Sequence, residues 1–338
     1  VSISNPVGAE LGQSQQQFTI LDNDGTALDR YVAKPDSSYD YSYVNTFVGE
    51  GHTTYVIDMT SQTWRTAAEV DKPEWQHWVQ IVVPDDVTSD TAVLHITGSG
   101  NTLPTQPNSQ AVDTALATGQ ITVKLFGGLN QPLQFSDEAS ARSGISITAY
   151  SYDKFLNGGD DEWPVQLPMV KSVVRAMDTA QNFLPGEVGH QINDFFLTGG
   201  SKNGHTSWLT AAADPRVVGL APLAYDALNS ESSLANHASN YEGVTEGIVG
   251  GYAEPLTPFV NEGVFDYAGT PESAALNEIV DPYSYRDRLT LPKYILNGTG
   301  DQFYTPDSSQ FYINDLSGPT YLRYFPNFAH GFGETGQE

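Results

Sequence analysis

The chain has 338 residues, 39% of them hydrophobic and 11% aromatic, which suffices for a large core in a single α/β unit. Its 41 acidic residues against 15 basic ones give a formal net charge of −26, and no cluster of Lys and Arg exists to meet nucleic acid or an anionic membrane. There is no cysteine, which excludes disulfides and thiolate metal sites, and no apolar run reaches the roughly 18 residues of a membrane span.

The acidity serves solubility, and adaptation to a saline environment is the sharper reading, because salt screens the self-repulsion of such a surface. It predicts a melting temperature that rises between about 0.1 and 1 M salt, over which the Debye length contracts about threefold. A flat or falling melting temperature over that range removes the idea. The chain opens at Val1 on a polar segment with no basic-then-apolar leader. With the lack of cysteine, this fits an exported protein whose leader has been removed, secreted or periplasmic.

Residues 1–20, rich in Gln and Ser, read as a polar arm. Asp22-Asn23-Asp24-Gly25 lacks the alternating acids of a calcium loop and reads as a turn. Strands are expected at Thr54–Met59 and His77–Val83, with Trp64, Trp75 and Trp78 as packing around them. From Ala92 the pattern becomes α/β. Ala92–Thr97 is a buried strand running into Gly98-Ser99-Gly100-Asn101, Ser109–Thr118 a short helix, and Gln120–Phe126 another strand. Leu167–Leu184 carries Val170, Val173, Val174, Met177, Ala180 and Leu184 at helical spacing behind Pro168. Strand Asp194–Thr198 then meets a Gly-Gly turn and a helix from Ser201 to about Ala213, followed by strand Val217–Tyr225.

Residues 226–288 break this rhythm and read as a cap inserted after the sixth strand, with helices of its own. The rhythm resumes at strand Pro292–Leu296, a helix near Ser308–Asp315 and strand Tyr321–Phe325. The expected fold is α/β, with a mostly parallel sheet covered by helices on both faces. Its core would span 21–225 and 289–338.

Phe195-Phe196-Leu197-Thr198-Gly199-Gly200-Ser201-Lys202-Asn203-Gly204 describes a nucleophile elbow. A serine on a tight strand-to-helix bend needs small neighbours, and the helix start offers N–H groups to a developing oxyanion. Asn203 stands where G-x-S-x-G has its second glycine, a departure that asparagine's tolerance of left-handed backbone would permit. The partners follow in the order such a fold requires. Strand Lys293–Leu296 leads to Asp301 in a Gly-rich loop, and the last strand leads to His330.

Ser201 is therefore the expected nucleophile, His330 the base and Asp301 the residue that orients it. The oxyanion hole is expected from the N–H of Lys202 and the loop at Gly98 and Ser99, with Asn101 a weaker side-chain candidate. Asp226, also after a strand, is the rival acid. Lys202 could form a Ser–Lys dyad, but its side chain is expected to point away along the helix. No histidine pair has metal-ligand spacing, and the reading requires neither metal nor cofactor. The substrate would be a small molecule or peptide, with Tyr225, Trp208 and Trp163 as pocket walls. A carboxylesterase ranks first, an exopeptidase using Glu242, Glu246 or Glu254 second, and a non-catalytic signalling or adhesion protein on the same scaffold third.

Gly199–Thr206 with Trp208–Val217, Asp58–Arg65, Trp75–Trp78, Asp281–Leu289 and Gly300–Phe303 together resemble the PhoPQ-activated pathogenicity-related family, over roughly residues 25–332. The resemblance implies an α/β-hydrolase domain with an inserted cap, on proteins that are usually exported and linked to envelope or extracellular roles, with peptidase-like activity conceivable. The chain departs from the family at Asn203, Gly204 and His205, where Arg then Gly-Trp is usual. It also stops at Glu338, before the helix that normally follows the histidine.

Overall fold

Regular structure begins earlier than the apolar pattern suggests. The computed structural model describes residues 25–98 and 100–331, so the polar arm, Asp22–Asp24 and Ser99 lie outside the described residues. A short helix, α1 (Ala27–Ala33), opens on a capping box in which Thr26 and Asp29 satisfy each other's backbone. Next comes β1 (Asp40–Gly49), a strand whose side chains are mostly exposed. It sits at the sheet edge, so its sequence carries no inward apolar alternation to read. With β1 counted, the strand before the 226–288 segment is the seventh rather than the sixth.

The remaining elements run β2 (His52–Thr63), β3 (Glu74–Pro84), β4 (Thr91–Ile96), α2 (Ser109–Thr118), β5 (Thr122–Leu125), α3 (Ile145–Gly158), α4 (Gln166–Glu187), β6 (Asp194–Gly200), α5 (Lys202–Ala213) and β7 (Val217–Leu223). The following segment holds α6 (Ser230–Asn240), the small hairpin β8 (Ile248–Val249) and β9 (Tyr252–Ala253), α7 (Thr257–Asn261) and α8 (Pro271–Val280). Then β10 (Lys293–Gly298) and β11 (Thr320–Phe325) complete the sheet.

The nine strands lie in the order β1-β2-β3-β5-β4-β6-β7-β10-β11. The pairs from β1 to β5 are antiparallel, and those from β5 through β11 are parallel. After β4 the chain steps to one side, into β5, and then returns to the other side as β6. The connection thus reverses between β4 and β6, and a crevice opens at the carboxyl ends of strands where this happens.

Alternation along β3 explains the two layers. Val82 meets Ala111 and Ala115 of α2 on one face, while Val79, Ile81 and Val83 join the large cluster with Val173 and Met177 of α4 on the other. The expected helix near Ser308–Asp315 is instead two 3₁₀ turns, Ser308–Phe311 and Ile313–Asp315. Tyr312 separates them at φ −144°, because its fully buried side chain is drawn inward to Asp226.

Candidate active site

The bend at Ser201 is built from the backbone outward. Ser201 sits between β6 and α5 at φ 56°, ψ −126°, a region that costs a side-chain-bearing residue of order 1–3 kcal/mol. Bare neighbours make the bend possible. A β-carbon on Gly199 would lie 2.7 Å from the Asn203 carbonyl oxygen, and one on Gly204 would lie 3.0 Å from that of Leu223. Asn203 is part of α5 and is not among the residues of positive φ. Tolerance of left-handed backbone is therefore not what admits it. Asn203 fits because Gly199 leaves open the space beside its own β-carbon.

Asp301 and His330 arrive from the loops after β10 and β11. Ser201 Oγ donates to His330 Nε2 at 2.7 Å, and His330 Nδ1 donates to Asp301 Oδ2 at 2.8 Å. The Asp301 side chain is 3% exposed. Its Oδ1 accepts the N–H groups of Phe303 and Tyr304, so the residue both turns its own loop and faces the imidazole. The His330 N–H is held by Gln302 Oε1 at 3.0 Å, and its ring packs on Phe303 with centroids 4.2 Å apart. Neither Gln302 nor Phe303 was singled out as a site residue, yet both follow the Gly300-Asp301 pair directly.

On the opposite flank, His205 N–H begins the ladder of α5 by bonding Ser201 O. The N–H of Lys202 lies ahead of that ladder, beside Ser201. Gly98 is the facing residue, at the carboxyl end of β4, and its carbonyl is held by Gln131 Nε2. The Lys202 side chain does not run away along the helix. It turns over Gly98, where a β-carbon would be 3.4 Å from Nζ, and burial pushes its ammonium below the usual lysine pKa. Asn101 is turned elsewhere, its Nδ2 donating to the backbone carbonyl and side-chain oxygen of Gln76.

A cavity of about 610 Å³ opens at Ser201, Lys202 and His330. Its far walls come from α3 and from the segment between β7 and β10. Asp281 ties that segment together, accepting the N–H of Ser230 at 2.6 Å and of Tyr283 at 2.9 Å. Of the three expected wall residues, Tyr225 lines the cavity, stacked on His205 with centroids 4.5 Å apart. Trp208 and Trp163 do not line it. Trp208 is fully buried in the core. Trp163 sits in an aromatic cluster with Trp64, Phe135 and Tyr150, under the Arg65 guanidinium. The contribution of α3 went unread because Ile145–Gly158 mixes β-branched, aromatic and hydroxyl residues without one apolar stripe.

The rival acid, Asp226, is 2% exposed and accepts the hydroxyls of Tyr312 and Tyr324 rather than an imidazole. Burial raises its pKa to about 6 despite these bonds. The folded value lies above the unfolded one, so the native state favours the protonated carboxyl. Its contribution to stability is fully present below about pH 4 and is lost as pH rises through 6. Asp226→Asn should therefore gain stability relative to the parent between pH 4.5 and 7.5, by up to about 3 kcal/mol. Urea midpoints at both values test this, and a difference independent of pH rules it out.

Comparison with known proteins places this architecture among relatives. Autocrine proliferation repressor protein A of Dictyostelium discoideum is 36% identical over 311 residues, covering 90% of this chain and 61% of that protein. Acetyl esterase Axe7A of Xylanibacter ruminicola is 30% identical over 179 residues, covering 51% of this chain and 35% of that one. The chain thus spans about three fifths of the first relative's length and about a third of the second's. The crystal structure of acetyl xylan esterase 1 from Thermoanaerobacterium sp. shares the fold at TM-score 0.60 and 13% identity, covering 90% of this chain and 87% of that one. The profile of the PhoPQ-activated pathogenicity-related protein family matches residues 28–337, nearly the whole length, and the chain belongs to that family.

Proposed function

We propose that the chain is a serine hydrolase that cleaves an ester through an acyl-enzyme. The observation that carries this reading is the continuous hydrogen-bonded line from Ser201 Oγ through His330 to Asp301, at the mouth of a cavity and on a strained bend. Ser201 Oγ attacks the ester carbonyl carbon as its proton passes to His330 Nε2. Asp301 holds the tautomer in which Nδ1 carries its proton and stabilises the imidazolium. The tetrahedral oxyanion faces the N–H of Lys202 and the backbone at Gly98, with the Lys202 ammonium close by. The carbon–oxygen bond to the alcohol then breaks and takes the proton from Nε2, and water repeats the sequence to release the acid.

The names of Axe7A and of the xylan esterase agree with ester rather than amide chemistry. The exopeptidase alternative loses its proposed clamp, because Glu242, Glu246 and Glu254 are exposed and do not line the cavity. A regulatory role is favoured by the name of the Dictyostelium relative alone. No helix among the described residues is long and apolar enough to cross a membrane, and export remains part of the proposal.

A fluorophosphonate probe tests the reading cheaply. It should label the protein, and the adduct should map to the peptide that carries Ser201. Esters of p-nitrophenol should turn over faster than aminoacyl-nitroanilides. A protein that takes no label and cleaves neither panel would be a signalling scaffold.

A further inference from the structure

From the cavity we infer that the substrate is an ester of a bulky, apolar acyl group, several carbons longer than acetate. The inference rests on Ser201 being the nucleophile and concerns what that nucleophile acylates.

Size argues first. The cavity measures about 610 Å³, in the range of pockets that enclose drug-sized ligands. An acetyl group would leave it holding about 20 waters at roughly 30 Å³ each. Wall chemistry argues second. Tyr152 and Leu156 of α3, Leu234 of α6, Phe259 of α7, Phe265 of the 3₁₀ turn Val264–Tyr267 and Leu276 of α8 converge on it from separate elements, and water against such walls is poorly held.

Charge argues third. In a chain with 41 acidic residues, one carboxylate among the described residues, Glu231, lines the cavity, and Lys202 stands beside Ser201. A cationic ligand such as a free amino terminus would find little there to pair with. A neutral apolar group loses nothing on entry.

Direction follows from the mechanism. His330 must hand its proton to the departing oxygen, so the alcohol leaves on the imidazole's side. Phe303 and Tyr304, which also line the cavity, pack on that flank with centroids 4.2 and 5.9 Å from the ring. The depth of the cavity is left to the acyl group.

The test is an acyl series of p-nitrophenyl esters from acetate to octanoate, run below their aggregation concentrations beside a series of alkyl acetates. Each methylene fully buried against apolar walls raises kcat/KM by about fourfold, so burial of about half of those that octanoate adds to acetate should already raise it at least about thirtyfold. Lengthening the alcohol should do far less. Ser273→Trp, at a cavity-lining position in the first turn of α8, should lower the octanoate-to-acetate ratio at least about tenfold by filling space. Ala235→Trp in α6 provides a second filler if the first does not fold, as judged by circular dichroism. Acetate cleaved as well as octanoate, or a preference that follows the alcohol, overturns the inference while leaving a Ser201-dependent hydrolase in place. Failure of every ester together with failure of the fluorophosphonate label would instead remove the hydrolase reading beneath it.

Discussion

Ester turnover by Ser201→Ala is expected to fall by at least about a thousandfold, and His330→Ala should match it. The two should not add. Each removes half of one proton-transfer pair, so the double variant should be about as slow as either single one. What survives would be the residual catalysis of the oxyanion donors and of binding alone. Asp301 is the more informative third position, because its two oxygens do different work. Oδ2 faces His330, while Oδ1 turns the loop by accepting Phe303 and Tyr304 N–H. Asp301→Asn can keep the turn yet disturb the imidazole tautomer, whereas Asp301→Ala loses both. Comparable stability but lower kcat in Asn than in the parent separates orientation from folding. Wild-type turnover in Ser201→Ala rules out the mechanism.

Legibility of this site in the sequence followed from where its parts lie. Ser201 and Asp301 sit where apolar strands run out into glycines, and His330 follows the last strand, so strand ends could be found and their order checked. Ala92–Ile96 of β4 was readable as a nearly continuous apolar run because every one of its positions is buried. What failed lacked such contrast. The edge strand β1 is exposed on both sides, and α3 is buried on most sides without a stripe. The cavity walls were missed with α3. Trp208 and Trp163 were chosen by size and aromaticity, but large rings are placed by packing, and both are committed to cores. The Lys202 side chain was misdirected because its path is set by Gly98, a residue 104 positions earlier whose missing side chain leaves room for it.

A single methyl group should be able to separate the catalytic geometry from the fold. Gly298 ends β10, and a β-carbon there would lie 2.3 Å from the Phe328 carbonyl oxygen and 3.0 Å from its carbon. The backbone of Gly298 is not among those of positive φ, so alanine suffers from crowding and not from conformation. Two bonds latch the loops at this point: Gly300 N–H to Phe328 O at 2.9 Å, and Asn327 N–H to Thr299 Oγ1 at 2.8 Å. Gly298→Ala must push Phe328 outward, and His330 follows two residues on. Its ring would then leave reach of Ser201 Oγ while Asp301 stays on its own side of the latch. A displacement of about 1 Å at reacting groups costs on the order of a hundredfold in rate, so kcat/KM should fall by about that factor. The fall should appear in kcat, since the cavity walls supplied by α3, α6 and α8 are untouched. Gly331→Ala, in the same loop but with open space around it, should stay near the parent. If Gly298→Ala kept full turnover while the melting temperature dropped, the loops would be latched for stability alone and the imidazole held in place by other contacts.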